Sequence, residues 1–561
     1  MSTREQAPAP RTYFGWQTEK VNFLFGLTAS RTLMLVAAAL LAAWPVGVGD
    51  VGLGLVCWPV ALLLGVCAFI RFAGRTADEW IAAWATYHFG RVLNHHKFTG
   101  GPFTPGHTLV EAVAVDEDTE PGESGQDADE PGVSSMVDPD ASENSDGEGD
   151  ERERRPLRAF TQRLLRHRRV DLPGVLAPLE ILEGERLHNN EALAIVRHRI
   201  DNTYTAVAAV RFPGIGLVDS DRREARVAGW GGLLAGLCAE GSPIVRVQAM
   251  QRLLPESGAA LRRWHADHLA DDAPAIAREV NEQLLSTATQ ATAQRETYLA
   301  FTLDAKKAAH QIKQAGGGSA GAMVVLGRHL RSLTSSIGAA DLQVDYWLTP
   351  RGLGEAIRTA YDPHSSRLMA ERRVATAGLE PGVEPGAAGP AAAEAHPGHY
   401  SHDGAYSATY WVYEWPRSQT HATVLAPLLG EGEHRRSYSM HVEPLAPREA
   451  EREVMRERTA RDVAVRMREK AGQVIPEHER VALERAVAQD AERAAGHGLV
   501  RFNAYLTVTV DDLDELEKAC AELEADASAA RIEVRRMWYG QDIGFAAAAL
   551  PLGFGLPRKR W

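Results

Sequence analysis

Lysine and cysteine are scarce in this 561-residue chain, and the usual marks of nucleotide or metal chemistry are missing. The four cysteines, Cys57, Cys67, Cys238 and Cys520, form no CxxC pair, which excludes a zinc ribbon and offers no disulfide framework. No Gly-Lys dipeptide occurs, so the lysine that a phosphate-binding loop sets against the β and γ phosphates has no candidate. The glycine run Gly316–Gly318 follows an expected helix instead of linking a strand to a helix, and reads as a helix stop. No small-residue cleavage pattern follows the first apolar run, so a cleaved signal peptide is not expected.

What is present divides unevenly. The formal charge of −13 is concentrated in Glu111 to Glu153, which holds 17 acidic residues and one basic residue, Arg152. The remainder carries a net charge of about +3, too little for a broad nucleic-acid-binding field. The acidic run is poor in large apolar residues and reads as a solvated linker over 111–155. At this length two to four folded units are expected.

The second concentrated feature is apolar. Between Arg31 and Arg71 lie 39 residues of which only Asp50 is charged. A bilayer core about 30 Å thick takes roughly 20 apolar residues per helix, so the run predicts a two-helix transmembrane hairpin over 31–71 with helices at 33–48 and 51–70. Gly47, Gly49, Asp50 and Gly52 supply the turn. Arg4, Arg11, Lys20 and Arg31 before it and Arg71 and Arg75 after it predict a multi-pass inner-membrane protein with a cytoplasmic segment 1–30 and both termini inside the cell. Trp44, Trp58, Trp80, Trp84 and Tyr87 suit headgroup level, although Trp58 falls inside the second span, and a juxtamembrane helix is expected within 72–110.

The body predicts an α+β fold of two related small α/β modules with a helical hairpin, at 168–378 and 399–556, separated by a Gly/Pro/Ala linker at 379–398. Strands are expected at 192–200, 204–212, 244–250, 298–303 and 342–348, with helices at 221–238, 304–315 and from 350 onward, and two more within 257–294. In the second half strands are expected at 409–414, 423–428, 437–442, 502–510 and 532–539, with helices at 448–470, 476–495 and 511–525. The stretch TVTVDDLDELEKA echoes YLAFTLDAKKAA, which gives Asp512 and Asp304 matching helix-start roles.

Few residues offer chemistry. Ser319 sits in Gly317-Gly318-Ser319-Ala320-Gly321, the G-x-S-x-G pattern of a nucleophile elbow, but without the strand that such an elbow needs before it. His396, His399 and His402, beside Asp403, have a regular spacing that a metal could use if a scaffold fixed it, and His95-His96 is a lesser candidate. Trp230, Trp347, Trp411 and Trp415 read as packing residues. No catalytic, cofactor or metal residue is assigned. The 448–495 hairpin alternates Arg and Glu around Ala450, Val454, Val463, Met467, Val481 and Val487, as a solvated hairpin or a docking arm would.

The segments TYFGWQTEKVNFLFGL, LVCWPVALLLGV and GRTADEWIAAWATY, within residues 12–90, resemble the PrgI-like membrane proteins of actinobacterial type IV secretion-like and conjugative gene clusters. The Arg, Ala and Gly bias suits such a GC-rich genome. RSYSMHVEPLAPREAERE, RFNAYLTVTVDDLDELEKACAEL and YGQDIGFAAAALPLGFG resemble the amino-terminal domain of secretion and conjugation ATPases, where the segment similar to Gly540–Gly553 leads into a motor domain. A motor domain is not expected in this chain. The resemblance implies a non-enzymatic, membrane-anchored subunit of an oligomeric type IV secretion-like or conjugation machine that docks a separate ATPase at the cytoplasmic membrane face, alongside other membrane subunits. The alternatives are a single-stranded-DNA-handling conjugation component acting through the arginines of 448–495, and a membrane-tethered enzyme using Ser319 or a His396/His399/His402 metal site. Arg558-Lys559-Arg560 suits a partner or lipid contact.

Overall fold

A computed structural model describes residues 13–16, 29–49, 51–100 and 172–555, apart from 70, 73–74, 93–94, 187–191, 212–218, 256–258, 271, 292, 376–381, 417–423, 431–433, 471, 473, 476 and 495. The acidic run 111–153 and the terminal Arg558–Arg560 lie outside the described residues.

Short strand β1 (Tyr13–Trp16) precedes two apolar helices, Ala29–Val48 and Val51–Phe69. Gly49, at φ +73°, turns one helix into the next, and Trp58 donates its indole N–H to the Ala42 carbonyl across the pair at 3.2 Å. The helical hairpin therefore forms, but the transmembrane reading is corrected: among the described residues no helix is long and apolar enough to cross a membrane. The charge-free part of the first helix, from Thr32 to Val48, rises only about 26 Å at 1.5 Å per residue, against a core of about 30 Å. The second carries Pro59 in its interior and reaches about 28 Å. The multi-pass localisation falls with it. The pair still exposes Leu40, Trp44, Leu55 and Leu62.

After β2 (Arg71–Phe72), β3 (Arg75–Thr76), the helix Ala77–Val92 and β4 (Lys97–Thr99), the body follows in two runs. The first is β5 (Leu179–Arg186), β6 (Ala192–His198), β7 (Thr203–Arg211), helix Ser220–Leu237, β8 (Ile244–Pro255), helices Ala259–His268 and Ala275–Ala291, β9 (Ala293–Asp304), helices Ala309–Gln314 and Gly318–Ala339, β10 (Gln343–Trp347) and helices Pro350–Tyr361 and Pro363–Ala375. The second is β11 (Ala392–Ala395), β12 (Tyr400–His402), β13 (Ala405–Glu414), helix Ala426–Leu429, β14 (Arg435–Pro444), helices Pro447–Lys470 and Glu477–Ala494, β15 (Leu499–Val510), helix Leu516–Ala529, β16 (Glu533–Arg536) and helix Gln541–Ala549.

These strands form one sheet of fourteen, not two separate modules. Its order is β4-β11-β12-β13-β15-β14-β8-β9-β7-β6-β5, with β10 on β7, β16 on β13 and β1 on β15. Every pairing in it is antiparallel except β1 with β15. The order β5-β6-β7-β9-β8 repeats as β11-β12-β13-β15-β14, and the repeats meet where β8 pairs antiparallel with β14. Local details repeat too. Asn202 and Gly404 both take positive φ between the paired strands, as do Asp341 and Arg531 before β10 and β16. Asp304 accepts the Lys306 N–H at 2.8 Å, and Asp512 accepts the Asp514 N–H at 3.0 Å, so both carboxylates start a helical turn.

Three sequence expectations change. Of the strand expected at 423–428, the described residues 424–428 hold none, because Ala426–Leu429 is a helical turn whose Leu428 fills the core beneath helix Leu516–Ala529. β5 interrupts its alternation with Gly184 and carries Glu180, Glu183 and Glu185, so no strand pattern stood out there. β11 and β12 form in a stretch rich in Ala, Gly and Pro.

Apolar residues of β6, β7, β8 and β9 pack under helices Ser220–Leu237 and Gly318–Ala339 on one face. On the other, Leu179 and Ala194 from one end of the sheet share a cluster with Ala393, Ala395 and Tyr400 from the other end, together with helices Pro350–Tyr361 and Gln541–Ala549. The sheet therefore curls around those two helices. Leu550 to Phe554 then crosses β8, where Gln248 bonds both the Leu550 carbonyl and the Gly553 N–H.

Candidate functional site

The face that wraps the two central helices is lined by an unusual band of buried polar side chains. The His402 ring lies against the Tyr361 carbonyl on one side and 2.8 Å from Ser407 Oγ on the other, and Ser407 lies 2.8 Å from Thr509. His441 Nε2 lies 2.8 Å from the Ala547 carbonyl, and Gln248 donates to Ser439 at 2.9 Å. Thr409 and Thr507 bond each other at 2.8 Å, and Gln541 accepts the Thr409 N–H at 2.8 Å. Burial pushes both His402 and His441 down to about 4, so both rings are neutral near pH 7. The Ser407–His402 pair resembles an activated nucleophile, but both residues are sealed from solvent, leaving a substrate no approach. This band fastens the central helices to the sheet.

A charged knot lies where the repeats meet. Arg252, 1% exposed, donates to Glu296 at 2.7 Å, to the Ala356 carbonyl at 2.7 Å and to Thr359 Oγ1 at 2.9 Å. Tyr298 donates to the same Glu296 carboxylate at 2.8 Å. Burial alone would raise Glu296, but the Arg252 charge and hydrogen bond outweigh it and hold the carboxyl below its usual range. Arg435 donates to the Thr359 carbonyl at 2.6 Å, yet its Nη1 is buried with no hydrogen-bond partner. Burial, reinforced by the Arg252 charge, pushes Arg435 down to about 9. Two guanidiniums thus crowd one carboxylate, and nothing in the knot resembles a reacting centre.

The residues singled out in the sequence disperse. Ser319 begins helix Gly318–Ala339 and its Oγ accepts from Tyr204 at 3.2 Å, with no histidine base bonded to it among the described residues. His396 and His399 stack on each other with centroids 4.4 Å apart, whereas both His402 nitrogens are already engaged in the core. Among the described residues no group of three or more His, Cys, Asp or Glu side chains is placed to hold a metal ion. Cys238 is buried, with its thiol pushed up to about 11, and Cys520 is raised by burial as well. Neither has the exposed, low-pKa character of a reactive thiol.

What stands open is helical. Each repeat sends out a helical arm between its two central strands, from β8 to β9 and from β14 to β15, and because β8 and β14 run antiparallel the arms leave opposite ends of the sheet. In the second arm four arginines are engaged within it: Arg458 with Asp490, Arg461 with Glu457, Arg466 with Asp462 and Arg468 with Glu479. That neutralises the field a DNA strand would need and disfavours the DNA-handling alternative. In the first arm, helix Ala275–Ala291 sets Ile276, Val280 and Leu284 four residues apart on one face, and Ile276 is 73% exposed and Leu284 60%. Leu261 and Trp264 on the preceding helix are exposed as well. Which apolar side of an arm stays exposed does not follow from the sequence, because periodicity marks an apolar stripe but not whether the fold covers it.

Comparison with known proteins gives one relation. The family model described as "Putative type VII ESX secretion system translocon, EccE" matches residues 291–412, from the end of the first arm through β13. No curated protein matches the chain. The matched description is of type VII, not of the type IV or conjugation machinery that the sequence resemblance implied, and what the two have in common is the secretion system. Over residues 291–412 this chain is similar to a secretion-system component.

Proposed function

We propose that this protein is a non-enzymatic scaffold subunit of a secretion translocon, and that its first helical arm docks a separate secretion ATPase. The unpacked stripe Ile276, Val280, Leu284 carries this reading. A helix of 17 residues is only marginally stable alone in water, and most helices in proteins gain their stability from packing an apolar face. A stripe left open on a helical arm is therefore best explained by a partner. The family match, whose description names a translocon, favours a partner within a secretion complex. The apolar pair Ala29–Val48 and Val51–Phe69 supports membrane association through its exposed surface, without a span.

Co-purification tests the reading. The full chain, expressed with a secretion-type ATPase from the same genome, should retain that ATPase, and Ile276→Asp/Leu284→Asp should lose at least ten-fold of it without lowering the melting temperature. Equal retention by the variant, or ATP turnover by the purified chain alone, would overturn the proposal.

A further inference from the structure

The turn after β9 concentrates positive charge, with Asp304 as its one acidic residue. Three of the chain's eight lysines, Lys306, Lys307 and Lys313, fall within eight residues, with His310 among them. Successive N–H groups bond four residues back, Ala308 to Asp304 and Ile312 to Ala308, so the turn winds helically into Ala309–Gln314. Lys306, His310 and Lys313 are thereby set at i, i+4 and i+7 on one exposed face, while Ala305, Ala308 and Ile312 are buried on the other. Among the described residues no ion pair involves any of the four. No large apolar side chain is exposed between Asp304 and Ser319, as a lipid-inserting surface would require, and no aromatic residue there offers a base a stacking platform. Flexible lysine ammoniums on a convex turn suit carboxylates spread along an extended chain.

We propose that this patch is the docking surface for a carboxylate-rich polypeptide segment, the chain's own run Glu111–Glu153. Charge complementarity supports it: 17 acidic residues against one basic in the run, and, among the described residues, no acid ion-paired with the patch lysines. The path of the chain supports it as well. The described structure resumes at Leu172, and Pro178 accepts the Arg199 N–H, at the same hairpin turn where Asn202 accepts the N–H of Ala305, next to Lys306. The segment thus re-enters at the end of the sheet that carries the patch. The 18 residues between Glu153 and Leu172 reach up to about 60 Å when extended, ample for the run to lie on it.

The test uses the full chain, a variant with the 17 acids of the run changed to Asn or Gln, and each of these with Lys306→Glu, Lys307→Glu and Lys313→Glu. The probe is a labelled synthetic peptide with the sequence 111–153. The neutralised chain should bind it, the wild type at least five-fold more weakly because its own run competes, and the lysine substitutions should cost the neutralised chain at least ten-fold. Binding should weaken several-fold between 50 and 300 mM salt. Thermal melting checks that the lysine variants fold. Equal binding with and without the lysines, no binding by the neutralised chain, or a preference of the same lysines for phosphatidylserine vesicles or single-stranded DNA that the peptide cannot displace would each overturn the assignment.

Discussion

Acidification should loosen this protein through two rings at its centre. His402 and His441 are fully enclosed, and burial holds both near 4 instead of 6.5. In the unfolded chain each would take up a proton as pH falls below 6.5, whereas in the folded protein neither does so until about pH 4. The stability they contribute is therefore complete above 6.5 and is lost between 6.5 and 4. At 1.36 kcal/mol per pH unit the full loss is about 3 kcal/mol for each ring, and by pH 5 about 2 kcal/mol for each, or about 4 kcal/mol for the pair. The measurement is the urea unfolding free energy at pH 7.5 and pH 5 for the wild type and for His402→Gln/His441→Gln, in which the amide keeps a donor and an acceptor. Asp403 and Asp542, raised by burial, change stability in the opposite sense as pH falls, and His96, His329 and His399 in the same sense as the pair, but all are common to both proteins and cancel in the difference. The wild type should lose about 4 kcal/mol more than the variant over this interval. Equal losses would show that the rings are hydrated or already protonated and would refute the reasoning.

The two arginines of the central knot should respond oppositely. Arg252→Ala leaves Glu296 buried without its main partner and should cost about 3–5 kcal/mol, whereas Arg435→Met removes an under-compensated cation and should be neutral or stabilising, as read by chemical denaturation. A loss above about 2 kcal/mol for Arg435→Met would mean that its single carbonyl bond outweighs its crowding. Gly553→Ala sets a Cβ against the Thr302 hydroxyl at a φ of +63° and should destabilise by at least about 2 kcal/mol, with faster amide exchange at Gly553. Ser319→Ala loses one bond to Tyr204 and should shift stability by less than about 1 kcal/mol and leave any measured activity unchanged.

The positions of most helices and strands could be read from apolar periodicity and turn residues, because β-branched and aromatic residues recur along β7, β8, β9 and β15 between turn-forming stretches. The echo between YLAFTLDAKKAA and TVTVDDLDELEKA also pointed to matched helix starts, and Asp304 and Asp512 fill them. The sheet's curl was not legible, since it depends on which helices the outer strands wrap. Nor was the polar band: Ser, Thr and His alternate in β13, β14 and β15, and that alternation does not reveal that helix Gln541–Ala549 covers the polar side. The dispersal of His396, His399 and His402 follows from the same burial, because equal spacing along a chain says nothing about which side of a strand each ring takes.

Sequence by itself determined the separation of charge, the apolar pair near the amino terminus and the lack of Gly-Lys and CxxC motifs, all of which depend on composition and short-range pattern. Only the tertiary structure decided that the repeats fuse through β8 and β14 into one sheet, that the apolar helices stop short of a span, and that one arm keeps its apolar face open. Burial is a property of three-dimensional neighbours, so whether a histidine is a ligand, a leucine core or a lysine free could not be settled along the chain.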